Sequence, residues 1–312
     1  MTPKIGYLLP TRENIMEGRP EGKLLLDLAT RAEGIGYDSL WVGDSLLARP
    51  RHEPLTLLAA VAGCTSKVKL GTAVLLPALR NPVVMAHQVA TLDQVSEGRV
   101  ILGVGIAADN PAIRAEFEAA SVPYEKRVGR MLEGLRLCRA LWRGEPVDWE
   151  GRWTVQQGVL GPTPHQAGGP PIWIGSLAPA GLERAGKYFD GWFPTGPDPE
   201  GYAERWRTVR QIASDAGRDE NALTGAVYLT VSLGPEAQAE ATVNDYLERY
   251  YQAPAAMMRS WQAVYAGPVE GFGETLQAYV DAGVSHLMLR FAGEHERHLE
   301  QAAGVWNDLG LG

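Results

Sequence analysis

The stretch PPIWIGSLAPAGLERAGKYFDGW, residues 170–192, decides the fold. Ile172, Trp173 and Ile174 make a short apolar run, Gly175 and Ser176 a turn, and Pro179 opens a helix. Leu182, Ala185 and Tyr188 continue at helical spacing. A run that is apolar at every position cannot have one face in water. It therefore reads as a strand of a parallel sheet covered on both sides, joined directly to its covering helix. No acidic or bulky residue stands at the turn. The backbone N–H groups and the Ser176 hydroxyl there suit an anion, and simple capping is the plainer alternative.

The same unit recurs on both sides of this stretch. Apolar strands are expected at residues 4–10, 38–44, 68–76, 99–105, 190–196, 225–234 and 285–291, with helices between them. Asn81-Pro82 marks one helix start by placing proline at the first helical position. Residues 145–157 read as a short β excursion, residues 236–268 as a long helical segment rich in Tyr, Met and Trp, and the stretch beyond residue 105 as mixed. Eight strand–helix units in 312 residues fit a closed (β/α)8 TIM barrel, with an open doubly wound sheet as the alternative. No composition shift marks a linker, so a single domain over 1–312 is expected.

Composition narrows the function. The formal net charge of −8 is spread without basic blocks, which argues against nucleic acid and polybasic membrane attachment. No apolar run is long enough for a membrane span, and the first residues lack the pattern of a signal peptide. Cys64 and Cys138 form no CxxC pair, so reduced thiols and a cytoplasmic location are expected.

In a barrel of this kind the site lies at the C-terminal strand ends. There the only charged residues are Asp44 and Arg290, taken as the catalytic candidates. A metal-dependent hydrolase would need several converging His or carboxylate ligands. Only His295 and His298 have ligand-like spacing, and their charged flanks suggest a solvated helix instead. No Gly-x-Ser-x-Gly elbow and no Rossmann fingerprint occur. Glycines and apolar walls with few acids and bases suit an organic cofactor that brings its own reactivity.

The blocks AEGIGYDSLWVGDS, VKLGTAVLLPALRNPVVMAHQVATLDQVSEGRVILGVG, YEKRVGRMLEGLRLCRALWRGEPVDWEGRW and LQAYVDAGVSHLMLRF, with the opening stretch, resemble the bacterial luciferase-like monooxygenase family. The resemblance implies a barrel with flavin or deazaflavin chemistry and an insertion after strand seven, at residues 236–268, shaping the substrate pocket. It places the isoalloxazine against a strand-three bulge at Gly71, Thr72, Ala73 and Val74, with a distorted or cis Ala73–Val74 peptide. Further cofactor contacts are implied at Gly105 and Ile106, and a phosphate turn at Gly175, Ser176 and Leu177. Two departures stand out. Ser45 lies where many relatives carry His, and Ile106, Ala107 and Ala108 replace a Glu found in some deazaflavin dehydrogenases.

The expected activity is that of a reduced-FMN-dependent monooxygenase acting on a small organic substrate. Coenzyme F-420-dependent hydride transfer is the close alternative, and a non-catalytic flavin-binding carrier the third. Expected partners are a small-molecule substrate, a flavin reductase and a second copy in a homodimer, with neither nucleic acid nor membrane. No metal is expected.

Overall fold

The computed structural model describes residues 2–310. Its strands are β1 (Lys4–Leu8), β2 (Ser39–Val42), β3 (Lys69–Thr72), β4 (Val100–Val104), β5 (Val147–Glu150), β6 (Thr154–Gly158), β7 (Ile172–Ile174), β8 (Gly191–Trp192), β9 (Thr224–Leu233), β10 (Ala263–Gly267) and β11 (His286–Phe291). The main sheet runs β10-β9-β11-β1-β2-β3-β4-β7-β8, and β8 pairs again with β9. That extra pairing closes the ring. The fold is the expected (β/α)8 barrel, with the antiparallel β5–β6 hairpin outside it.

Strands β2, β4, β7 and β11 are buried at every position, which is why their sequences do not alternate. The helices start by a shared device. Pro54, Pro82, Pro111, Pro179 and Pro199 each occupy the first helical turn, where a missing N–H costs nothing. Glu53, Asn81, Asn110 and Asp198 cap four of these helices through their side chains. The fifth, Pro179–Tyr188, begins at Ala178 and has no side-chain cap.

By its contacts the chain divides into two compact units. One takes in the chain up to Leu9, Asp27–Trp41 and everything from Trp173 onward. Within it the Trp41 ring meets Trp173, Phe193 and His286 at centroid distances of 5.4, 5.6 and 5.6 Å. The other unit comprises Pro10–Leu26 and Val42–Ile172. There Trp142, fully buried, donates from Nε1 to the Ala86 carbonyl at 3.0 Å and joins two helices.

Three expectations are corrected in detail. Residues 236–268 are not helical throughout. Helices Glu236–Tyr251 and Ala255–Arg259 are followed by β10, which adds to β9 in parallel. The mixed stretch after β4 contains helix Pro111–Ala119, whose apolar face was too short to read. The expected strand over 68–76 stops at Thr72 and returns only as the isolated bridge between Leu75 and Val104.

Candidate active site

The interruption of β3 belongs to the second unit. Ala73 N donates to the Val42 carbonyl at 2.7 Å and Leu75 N to Gly103 at 2.8 Å, so the ladder resumes on either side of Val74. The Ala73–Val74 peptide is cis, as the family resemblance implied. Gly71 and Thr72 are buried beneath it, and the Thr72 hydroxyl donates to the Gly103 carbonyl at 2.7 Å. Ala73 and Val74 themselves are half-buried. Gly105 lies against them. A Cβ there would come within 2.4 Å of Val74 Cγ2, so only glycine fits. Ile106 is half-buried, and its carbonyl accepts from Arg127 Nε at 2.8 Å.

Asp44 is more engaged than its place at a strand end suggested. Its side chain is 1% exposed and pairs with Arg80. Oδ2 accepts from Arg80 Nη1 at 2.5 Å and from Leu76 N at 2.8 Å, while Oδ1 accepts from Arg80 Nη2 at 3.1 Å. Arg80 also reaches Glu53 Oε1 at 3.1 Å. Burial alone would lower the Arg80 pKa, but Asp44 and Glu53 raise it, so the guanidinium stays charged. Asp44 therefore holds the segment after β3 in place, and its lone pairs are largely spent.

Sequence reasoning missed a second carboxylate. Glu116, 1% exposed on helix Pro111–Ala119, accepts at Oε2 from Ser45 Oγ (2.7 Å), Leu47 N (2.7 Å) and Ala48 N (2.9 Å). It shapes the loop after β2 from 71 residues away from Ser45. No local pattern could have announced that.

In the first unit, Gly175, Ser176 and Leu177 are half-buried at the end of β7. Ser176 Oγ lies over the first turn of helix Pro179–Tyr188, 1.9 Å from where a Cβ on Gly181 would sit. The Ser176 carbonyl accepts from Trp192 Nε1 at 2.7 Å. With no acidic residue in that turn, the N–H groups of the helix and the serine hydroxyl form an anion-compatible end. A polar cavity of about 470 Å³ opens beside Leu177, with Arg205, Arg259, Trp261 and Tyr279 in its walls.

Arg290, the other expected catalytic residue, is placed as an internal pillar. It is 1% exposed and donates to Thr230 Oγ1, Gln262 Oε1 and Tyr251 Oη at 2.7, 2.6 and 2.8 Å. The rings of Tyr228, Tyr246, Tyr250 and Tyr251 surround it, with centroids 5.0 to 5.4 Å from Cζ. Cation–π contacts and neutral acceptors stand in for an ion pair. They tie the insertion to β9 and β11.

The helix expected to expose His295 and His298 does not. His298 is fully buried beside the Leu233 backbone, and its ring stacks on Phe291 at 5.5 Å. His295 Nδ1 pairs with Tyr7 Oη at 2.8 Å. Among the described residues, no group of three or more His, Cys, Asp or Glu is placed to hold a metal. Nor, among them, is any helix long and apolar enough to cross a membrane.

The closed barrel and the cis Ala73–Val74 peptide are both features that the family resemblance implied. The sequence profile of the luciferase-like monooxygenase family matches residues 3–310, and the chain belongs to that family. It is 30% identical to the F420-dependent glucose-6-phosphate dehydrogenase of Nocardia farcinica and 31% to that of Rhodococcus erythropolis. Each alignment covers 88% of this chain and 89% of the relative. The fold is also that of an F420-dependent secondary alcohol dehydrogenase solved with an F420–acetone adduct. That likeness has a TM-score of 0.83 at 21% identity, covering 98% of both chains.

Proposed function

We propose that this chain is an F420-dependent oxidoreductase that moves hydride between an alcohol and the corresponding carbonyl compound. The relationship to F420-dependent dehydrogenases along 88% of the chain carries the reading. It favours F420 over the reduced FMN and oxygen expected from the sequence. A separate flavin reductase is then not needed.

The residues present fit such a cofactor. The half-buried Ala73–Val74 segment is where the family resemblance puts a flat ring. The Ser176 turn offers a phosphate a hydroxyl and the positive end of a helix. The cavity beside Leu177, with Arg205 and Arg259, suits the carboxylate-bearing chain that F420 carries beyond its phosphate and FMN lacks. When bound, F420 supplies a ring carbon that accepts or returns hydride. Gly105 keeps Val74 in position, and Asp44 with Arg80 holds the segment that follows. The replacement of an expected Glu by Ile106–Ala108 argues for an alcohol other than a sugar phosphate.

The test is a fluorescence titration of the purified protein with F420 and FMN, followed by anaerobic addition of a panel of secondary alcohols. F420 should bind at least tenfold more tightly, and an accepted alcohol should bleach its absorbance. Preference for FMN, with a hydroperoxide spectrum when its reduced form meets air, would overturn the proposal in favour of a monooxygenase.

A further inference from the structure

The loop after β2 brings the Arg51 side chain back against the end of the strand. Gly43 directly follows β2 (Ser39–Val42). It carries no side chain, and the space is filled from elsewhere. A Cβ on Gly43 would lie 2.0 Å from Arg51 Nη1 and 3.2 Å from Arg51 Cζ, with the Ala73 carbonyl oxygen 3.6 Å away. The Arg51 guanidinium thus occupies the room of a missing side chain, next to the strand-three bulge.

The loop is built to deliver it there. Glu116 collects the Ser45 hydroxyl and the Leu47 and Ala48 N–H groups on one oxygen. Ser45 Oγ in turn accepts from Arg49 N at 2.9 Å, and Arg51 Nε donates to the Arg49 carbonyl at 3.1 Å. Such a chain of bonds fixes the course of the backbone up to Arg51. A half-buried cation held this way, beside the half-buried Ala73–Val74 peptide, acts on whatever ring charge develops there.

We propose that Arg51 compensates the negative charge that the cofactor ring gains on reduction, an inference that rests on the function proposed above. Hydride carries one proton and two electrons, so its addition makes the ring more negative by one charge. The alcohol that gives the hydride becomes a carbonyl and releases its hydroxyl proton to solvent. Arg51 keeps its own proton throughout. Its attraction is stronger in the reduced state, so it raises the affinity for reduced cofactor more than that for the oxidised form.

The experiment measures dissociation constants of oxidised and anaerobically reduced F420 and FMN for the wild type, Arg51→Gln, Arg51→Lys and Gly43→Ala. Arg51→Gln should weaken reduced binding about tenfold relative to oxidised, equivalent to ~30 mV in the two-electron potential of the bound cofactor. Arg51→Lys should restore part of the ratio. Gly43→Ala, whose methyl displaces the guanidinium, should reproduce the state-dependent loss, and adding Arg51→Gln to it should change little. An unchanged ratio, or equal losses in both redox states, overturns the role of Arg51 while leaving the function intact. Failure of the wild type to bind either cofactor overturns both. If Arg51→Gln does not fold, Gly43→Ala decides by the same ratio.

Discussion

Replacing Ser176 with aspartate acts on the free protein and on its complex with opposite signs. Helix Pro179–Tyr188 has neither a side-chain cap nor an acidic residue in its first turn, and Ser176 Oγ lies over that turn. A carboxylate in this place meets the positive end of the helix dipole, which is worth about 0.3–1 kcal/mol of added stability. The same charge about 5 Å from a bound phosphate costs roughly 3 kcal/mol per pair of unit charges at an effective dielectric constant of about 20. Residue 176 is half-buried, and screening by water and salt reduces this to ~1.4 kcal/mol or more, a tenfold loss of affinity. Urea denaturation of the free variant should therefore shift to higher denaturant, while titration shows weaker binding of F420 and FMN. Riboflavin, which has the ring without the phosphate, serves as the control and should lose little. Gly181→Ala should mimic the binding loss without the gain in stability, because its methyl evicts the Ser176 hydroxyl. Equal losses for FMN and riboflavin would refute the assignment of the phosphate to this turn.

Asp44→Asn should lower stability by about 2–3 kcal/mol, less than the loss of a fully isolated buried pair because Arg80 retains Glu53. Chelators should leave the wild type unchanged in the same urea assay, and a destabilisation under about 0.5 kcal/mol would contradict the positioning role. Ala73→Phe should abolish cofactor binding while leaving the melting curve near that of the wild type, since position 73 is half-buried and its new ring would project over the bulge. Retained binding would place the cofactor elsewhere. His286 is buried against Ser39 and Trp41, and burial lowers its pKa from 6.5 to about 4. Below pH 6.5 the unfolded chain takes up a proton that the folded protein refuses until about pH 4. The contribution of neutral His286 is thus complete above pH 6.5 and falls by about 3 kcal/mol on acidification to pH 4. His286→Gln should flatten the stability profile over that window, and an unaltered slope would assign the pH dependence to other groups.

Local periodicity carried most of the barrel. Ile172-Trp173-Ile174 and Val100–Val104 are apolar throughout because both sheet faces are covered, and that pattern is visible without coordinates. The helix starts at Pro82 and Pro179, and the bare turn before the latter, were equally visible, since caps lie within a few residues of what they cap. Two parts of the fold were not. β10 exists because β9, ten residues long, offers Leu229–Leu233 as a free edge, and a five-residue segment in an aromatic-rich stretch does not declare such a partner. His298 is buried because its helix docks on Leu233 and Phe291, whereas its charged sequence neighbours point to solvent.

The candidate site divides along the same line. Of its backbone elements, the turn at Gly175–Ser176 is short and contiguous and shows in its turn residues, whereas the bulge at Ala73–Val74 was implied by the family resemblance. Its charges are assembled from distant segments. Arg80 reaches back 36 residues to Asp44, Glu116 reaches 71 residues to Ser45, and Arg51 folds over Gly43. Such pairs depend on where helices and loops come to rest after the barrel closes. The sequence alone determined the architecture and the kind of chemistry, because these follow from periodicity and from residue types at strand ends. Tertiary structure decided which charges are occupied as supports and which one stands beside the bulge, because only folding brings those side chains within hydrogen-bonding distance.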